Sequence, residues 1–237
     1  MAKFEESRWG ETEYAQEYQD HSQHFLPERN THFEILASFY QYFVQKKRVL
    51  DLGCGDGIIS ERLFLIDPHI QLVAVDGSEE MLSAAQKRLA VYDVENFIKM
   101  PFEDIIEGKA NLGTFDFIVS CFAIHHLEKL QRRGLFEKIL NMLAPNSYFL
   151  NIDIVLPTTE PLENWYYDLW REWIQKHEAR ENLSESFSHI PDEARVRPEN
   201  FYDTLESQLE DLQIVGFKEV ACHYRYGLFG IYSGKKL

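Results

Sequence analysis

Three glycines and two aspartates carry the most legible chemistry in this chain. Val49-Leu50-Asp51-Leu52-Gly53-Cys54-Gly55-Asp56-Gly57 reads as a buried strand running into a glycine-rich turn, with a helical pattern after it. Glycines at 53, 55 and 57 let the backbone bend sharply and approach a ligand with no Cβ in the way. The helix that follows would aim its N-terminal N–H groups at that ligand. Asp76, followed by Gly77, closes the next apolar run. A carboxylate at that place accepts ribose hydroxyls in nucleotide-binding folds, and capping a helix is its other use. A dinucleotide fails on two counts. Ile58 stands where the fingerprint wants its third glycine, and Asp51 would repel a pyrophosphate. A nucleotide-type ligand carrying positive charge would instead be attracted.

Asp51 to Gly57 resembles motif I of the class I S-adenosylmethionine-dependent methyltransferases, whose cofactor carries an ammonium and a sulfonium. The resemblance covers roughly residues 47 to 155. It implies that Gly53, Cys54, Gly55 and Gly57 hold the methionine half beside Asp51, and that Asp76 and Gly77 hold the ribose. Met81 matches a position that packs on the adenine; a core methionine is the equal alternative. The family's acidic residue after the third strand falls here on Pro101. Phe102 is left to cover the adenine face and Glu103 to accept from its amino group. Ser120 to Leu127 resembles motif IV, which puts Cys121 and Phe122 beside the transferable methyl. Tyr18 is assigned to the cofactor from the N-terminal side, and Arg29 to its carboxylate.

The acceptor side is read from fewer signals. His125 and His126 are each either a general base or a helix-capping or core histidine, with His125 preferred for its nearness to the strand end. Asp153, an acid in an apolar strand, needs a partner or a function. Tyr14, Trp165, Tyr166, Tyr224 and Arg225 are the candidate substrate contacts, and Tyr18, Trp170, His189 and Tyr226 are read as further parts of the same wall. An aromatic stripe at helical spacing serves a core as readily as a substrate cage. No His, Cys or acid cluster has metal-ligand spacing, so no metal is expected.

These residues need an α/β frame. Strand-like runs at 47 to 52, 71 to 76, 94 to 99, 115 to 123 and 148 to 155 alternate with helical runs at 57 to 66, 78 to 91 and 128 to 143. Such alternation implies right-handed βαβ units and a buried parallel sheet. Residues 198 to 212 read as a helix, and 217 to 224 with 227 to 233 as a terminal hairpin. The resemblance implies a seven-stranded, mostly parallel Rossmann-like sheet with the final strand antiparallel. One domain over 1–237 is expected. It has a helical lid in 1–45, a cofactor core in 46–156, a helical cap insertion in 157–197 and the terminal helix and hairpin in 198–237.

Composition narrows the function. The chain has 237 residues, 45% hydrophobic and 14% aromatic, enough for a full core. A net charge of −15 disfavours DNA or long RNA as substrate. Three cysteines without CxxC spacing fit reduced thiols in the cytoplasm. No apolar run approaches the roughly 18 residues of a membrane span. The expectation is transfer of the sulfonium methyl to a small-molecule acceptor by in-line displacement, in a monomer or homodimer. Two alternatives stand beside it: a tRNA-modification enzyme using a carboxylated cofactor, and a non-catalytic S-adenosylmethionine-binding protein.

Overall fold

The expected strands pair into one sheet whose two faces bury alternate side chains. The computed structural model describes residues 12–237, without the side chains of 12–15. The Tyr14 side chain, offered above as a substrate contact, therefore lies outside the described residues. The elements are α1 (Thr12–Phe25), α2 (Arg29–Phe43), β1 (Arg48–Leu52), α3 (Ile58–Ile66), β2 (Gln71–Asp76), α4 (Glu79–Arg88), β3 (Asn96–Lys99), α5 (Phe102–Glu107), β4 (Phe115–Cys121), α6 (Lys129–Met142), β5 (Leu143–Ile154), α7 (Glu160–Glu181), α8 (Ile190–Val196), α9 (Leu205–Val215), β6 (Lys218–Tyr226) and β7 (Phe229–Lys235).

The strand order is β3-β2-β1-β4-β5-β7-β6. β7 runs antiparallel to both of its neighbours, and the other described pairings are parallel. On β1, Val49 faces one core with Leu36 and Leu63, while Leu50 and Leu52 face the other with Leu135 and Leu212. This period of two, apolar on both sides, is what a sheet covered by helices on both faces requires. The reversal of strand order between β1 and β4 opens a crevice at the strands' carboxyl ends, where ligands of such sheets bind.

A third apolar cluster roofs that crevice. Phe25 and Leu26 from the end of α1 meet Tyr167, Trp170 and Ile174 of α7, Ala194 of α8 and Phe229 of β7. Trp170 is buried and donates its Nε1–H to the Phe25 carbonyl at 2.6 Å. That bond satisfies the polar tip of a large buried ring and ties α1 to α7.

The helix expected from 198 to 212 starts later. Thr204 caps α9 by accepting from the Ser207 N–H, and residues 198–199 form a turn. Buried Arg132 explains the shift, since its guanidinium holds Asp203 at 2.5 Å and Asp211 at 3.3 Å. The segment between α8 and α9 is thereby drawn across the crevice as a loop, with Leu156 bridged to Thr204. α5 was not expected either; it begins directly after Pro101, a residue suited to the start of a helix. Among the described residues no helix is long and apolar enough to cross a membrane.

Candidate active site

The glycine loop is pinned from below before it meets any ligand. The Gly53 and Cys54 N–H groups both donate to the Val75 carbonyl, at 2.8 and 3.0 Å. Gly53 has φ +72°, and a Cβ there would meet the Ala123 Cβ at 2.6 Å, so only glycine fits. Gly55 (φ +53°) has open space where a Cβ would be, which leaves room above the loop. Asp76 ties the turn together, its carboxylate accepting from the Gly55 N–H at 2.8 Å and the Ser78 N–H at 2.9 Å.

Two N–H groups at the entry to α3 are already engaged within the protein. The Gly57 N–H goes to the Cys54 carbonyl and the Ile58 N–H to the Asp56 carboxylate. Gly57 itself packs on Ala85 and Leu89 and serves the junction of α3 with α4.

Asp51 lies fully buried under the loop. Its Oδ2 accepts from the Ser60 hydroxyl at 2.6 Å, while Oδ1 has no partner. Burial pushes its carboxyl up to about 7; the Ser60 hydrogen bond opposes that rise and the charge of Asp76 adds to it. A buried acceptor without a donor costs about 1–3 kcal/mol, a cost that a cationic ligand would offset.

Three adjoining cavities lie at the strand ends; Asp51 itself lines none of them. The first runs from Asp76, Gly77 and Met81 past Pro101, Phe102 and Glu103 to Cys121 and Phe122, with Gly53 and Gly55 below and Tyr18 of α1 above. Burial raises the Cys121 thiol, so it stays protonated. The far end of this cavity is closed by Gln131, Glu199 and Phe201, none of which was anticipated. The third cavity, the smallest of the three in extent, is lined by Arg29, His32, Cys54 and Asp56. His32 is 1% exposed, and neither of its ring nitrogens has a partner. Burial, then the Arg29 charge, lowers its pKa to about 4, so it is neutral near pH 7. The helical spacing His32–Leu36–Tyr40 carries this residue on the buried face of α2 and was the signal that could have found it.

The second cavity lies beyond Phe122, under the cap. Its apolar walls are Phe25, Leu26, Ile154, Trp170 and Ala194; its polar wall is Glu17, His125, His126, Arg197, Asn200 and Tyr202. His125 and Asp153 are joined by a 2.5 Å contact from Nδ1 to Oδ1. Asp153 is fully buried and also accepts from the main-chain N–H groups of His125 and Ile154. An ionised carboxylate fixes the Nδ1–H tautomer of its neighbour and leaves Nε2 as the basic atom. His126 is oriented differently. Its Nδ1 lies 3.1 Å from the Glu199 carbonyl, which can only accept. Burial, then the neighbouring His125, holds its pKa well below the usual value, so it lines both cavities as a neutral ring.

Phe122 separates the first cavity from the second. It has φ +52°, a region that bulky side chains avoid and that is held only where the surroundings over-determine it. A 2.8 Å bond from its N–H to the Ile152 carbonyl and an edge-on contact with Phe229 do so here.

Four predicted substrate residues stand apart from these cavities. Trp165 is 56% exposed. Tyr166 lies under the Arg225 guanidinium, 5.1 Å from its ring centroid, and Arg225 also bonds the Gly227 carbonyl. Tyr224 packs edge-on to His32. Their places at the cavity wall are taken by Trp170 and by Asn200 and Tyr202 of the loop read as helix. Pro198 with Asn200 two residues on is a turn signal that could have found that loop. Among the described residues no group of three or more His, Cys, Asp or Glu could hold a metal ion.

Comparison with known proteins agrees with this geometry. Residues 50–149 match a family model described as a methyltransferase domain. The carboxy-S-adenosyl-L-methionine synthase of Nautilia profundicola is 23% identical over 221 residues, covering 87% of this chain and 83% of that protein. An O-methyltransferase family protein from Burkholderia thailandensis superposes with a TM-score of 0.70 at 13% identity, over 100% of this chain and 64% of that one. Human N-acetylserotonin methyltransferase, in complex with S-adenosylmethionine, gives 0.65 at 14% identity, over 97% of this chain and 57% of that one. The chain spans less than two thirds of either of these two structures, and at such identity the likeness is one of fold. Residues 50–149 thus carry a methyltransferase domain, and the sheet order and glycine loop agree with the class I, Rossmann-like S-adenosylmethionine-dependent methyltransferase fold. S-adenosylmethionine is its cofactor, and the buried unpaired Asp51 oxygen and the open space above Gly55 fit that ligand.

Proposed function

We propose that the chain methylates a small molecule with an apolar or aromatic body, at a hydroxyl or a similarly weakly acidic nucleophile. The observation that carries this reading is the His125–Asp153 pair on the wall of a mostly apolar cavity that adjoins the cofactor cavity across Phe122. Asp51 and Asp76 hold the cofactor from the strand ends, with Arg29 and His32 at the end that would take its carboxylate. The cofactor supplies, when bound, a methyl group on a positively charged sulfur. His125 takes the acceptor's proton at Nε2, and the Asp153 carboxylate holds the resulting imidazolium in place. A base of this kind serves an acceptor whose proton does not leave freely. Trp170, Phe25 and Leu26 exclude water from the reacting atoms.

A second reading is favoured by the reach of the relatives. The match to the first of them covers 87% of this chain and so extends beyond the 50–149 domain into the cap. On that reading the chain makes a carboxylated form of the cofactor, and the second cavity holds the carboxyl donor. One experiment separates the two. Purified protein is incubated with S-adenosylmethionine and a panel of phenols, hydroxy acids and keto acids, and the products are read by mass. Release of S-adenosylhomocysteine with a methylated acceptor supports the first reading. A heavier, carboxylated cofactor supports the second and removes the first.

A further inference from the structure

Beneath the His125–Asp153 pair runs a line of polar side chains that proton transfer does not itself use. Asn151 and Asp153 are two apart on β5, so both project from one face of the sheet. Tyr232 of β7 stands opposite Asn151 in the antiparallel register. The Asn151 amide donates to Asp153 Oδ2 at 3.3 Å and to the Tyr232 hydroxyl at 2.6 Å. That hydroxyl donates in turn to Gln208 Oε1 on α9. Asn151, Asp153, Tyr232 and Gln208 are each at most 1% exposed.

Buried polar groups are normally paired, yet Asn151 Oδ1 has no partner. Turning the amide over would set an oxygen against the Asp153 carboxylate. The orientation that leaves Oδ1 unpaired is the one that gives Asp153 a donor. Three of the four contacts to Asp153 are then N–H donors with no accepting atom: the main chain of His125 and Ile154, and the Asn151 amide. A proton on Asp153 would meet no acceptor at any of these three, an arrangement that suits a carboxylate facing an N–H at His125 Nδ1.

We infer that Asn151, anchored by Tyr232 and Gln208, is a positioning residue that holds Asp153 as an anion aimed at His125 Nδ1 and takes up part of its charge. The inference rests on the proposed role of His125 as proton acceptor. It is tested on the full chain with S-adenosylhomocysteine added, by long-range 1H–15N spectra of the His125 ring across pH. The unsubstituted protein is expected to show the Nδ1–H tautomer at alkaline pH.

Asn151→Leu removes a donor from the carboxylate and strengthens its pull on the ring. The His125 midpoint then moves to higher pH by roughly half a unit or more. Tyr232→Phe keeps the ring packing and loosens the anchor, so it moves the midpoint the same way by less. Unchanged midpoint and tautomer in folded Tyr232→Phe and Asn151→Leu overturn the inference, as does a shift to lower pH. Should Asn151→Leu fail to fold, Tyr232→Phe decides alone. Full methyl transfer by His125→Ala would instead sink the proposed role of His125, a result that these spectra do not read.

Discussion

On the cofactor side of the crevice, polar atoms are held by the main chain. Asp76 accepts from two backbone N–H groups, and the loop's own N–H groups are spent on the Val75 carbonyl. On the cap side, the wall is mostly rings and aliphatic side chains from α1, α7 and α8, with Glu17, Arg197 and the two histidines at its edge. A site fixed by backbone survives changes to its neighbours. A site made of side chains changes its occupant with a few substitutions and keeps its fold. The difference explains why fold likeness extends across enzymes with unlike acceptors.

The comparison can be broken most sharply at His125. His125→Ala is expected to lower methyl transfer by roughly 10²- to 10⁴-fold, while calorimetric affinity for S-adenosylmethionine stays within about twofold of the unsubstituted value. A matching loss of cofactor affinity would show that the two sides are not separate. Asp76→Ala should act in the opposite sense. Loss of hydrogen bonds to a charged group costs about 2 kcal/mol, or roughly 30-fold in Kd, by calorimetry with S-adenosylhomocysteine.

Asp51 supplies a pH test of the cofactor side alone. Its carboxyl is pushed up to about 7 in the folded, ligand-free chain. A cationic ligand favours the ionised form, so binding below that pH must expel a proton. Affinity is expected to fall as pH drops below about 7, approaching tenfold per unit, with proton release detectable in buffers of different ionisation enthalpy. The same residue sets a stability slope. Between the ordinary value of 3.8 and about 7 the folded state binds the proton more tightly than the unfolded one. Thermal stability without ligand should therefore decline as pH rises through that window, and Asp51→Asn should flatten the slope. The smallest effect belongs to Trp165, exposed on α7. Trp165→Ala should leave cofactor affinity, turnover and melting temperature nearly unchanged, within about 0.5 kcal/mol.

The two sides also differ in how much of them could be read from residues alone. Strand ends and glycine spacing are local patterns, so β1, β2, β4 and the loop at 53–57 were legible, as was the terminal hairpin. The cap was not, because Trp165 and Trp170 look alike in a helical stripe. Only packing against Phe25 turns Trp170 inward and leaves Trp165 in solvent. The loop at 198–204 was read as helix because its course is decided by Arg132, about seventy residues away in sequence. Asp153 was flagged as an acid needing a partner, and the partner is His125. The chain behind it, Asn151 to Tyr232 to Gln208, depends on strand register and could not be seen without it.

Tyr18 and Phe122 line all three cavities. Any ligand that orders these two rings leaves less to be ordered by the next. Cofactor and acceptor should thus bind with positive cooperativity, and by linkage each must raise the other's affinity by the same factor. A coupling free energy measured from either direction, and abolished in Tyr18→Ala, would make these two rings the thermodynamic joint between the halves of the enzyme.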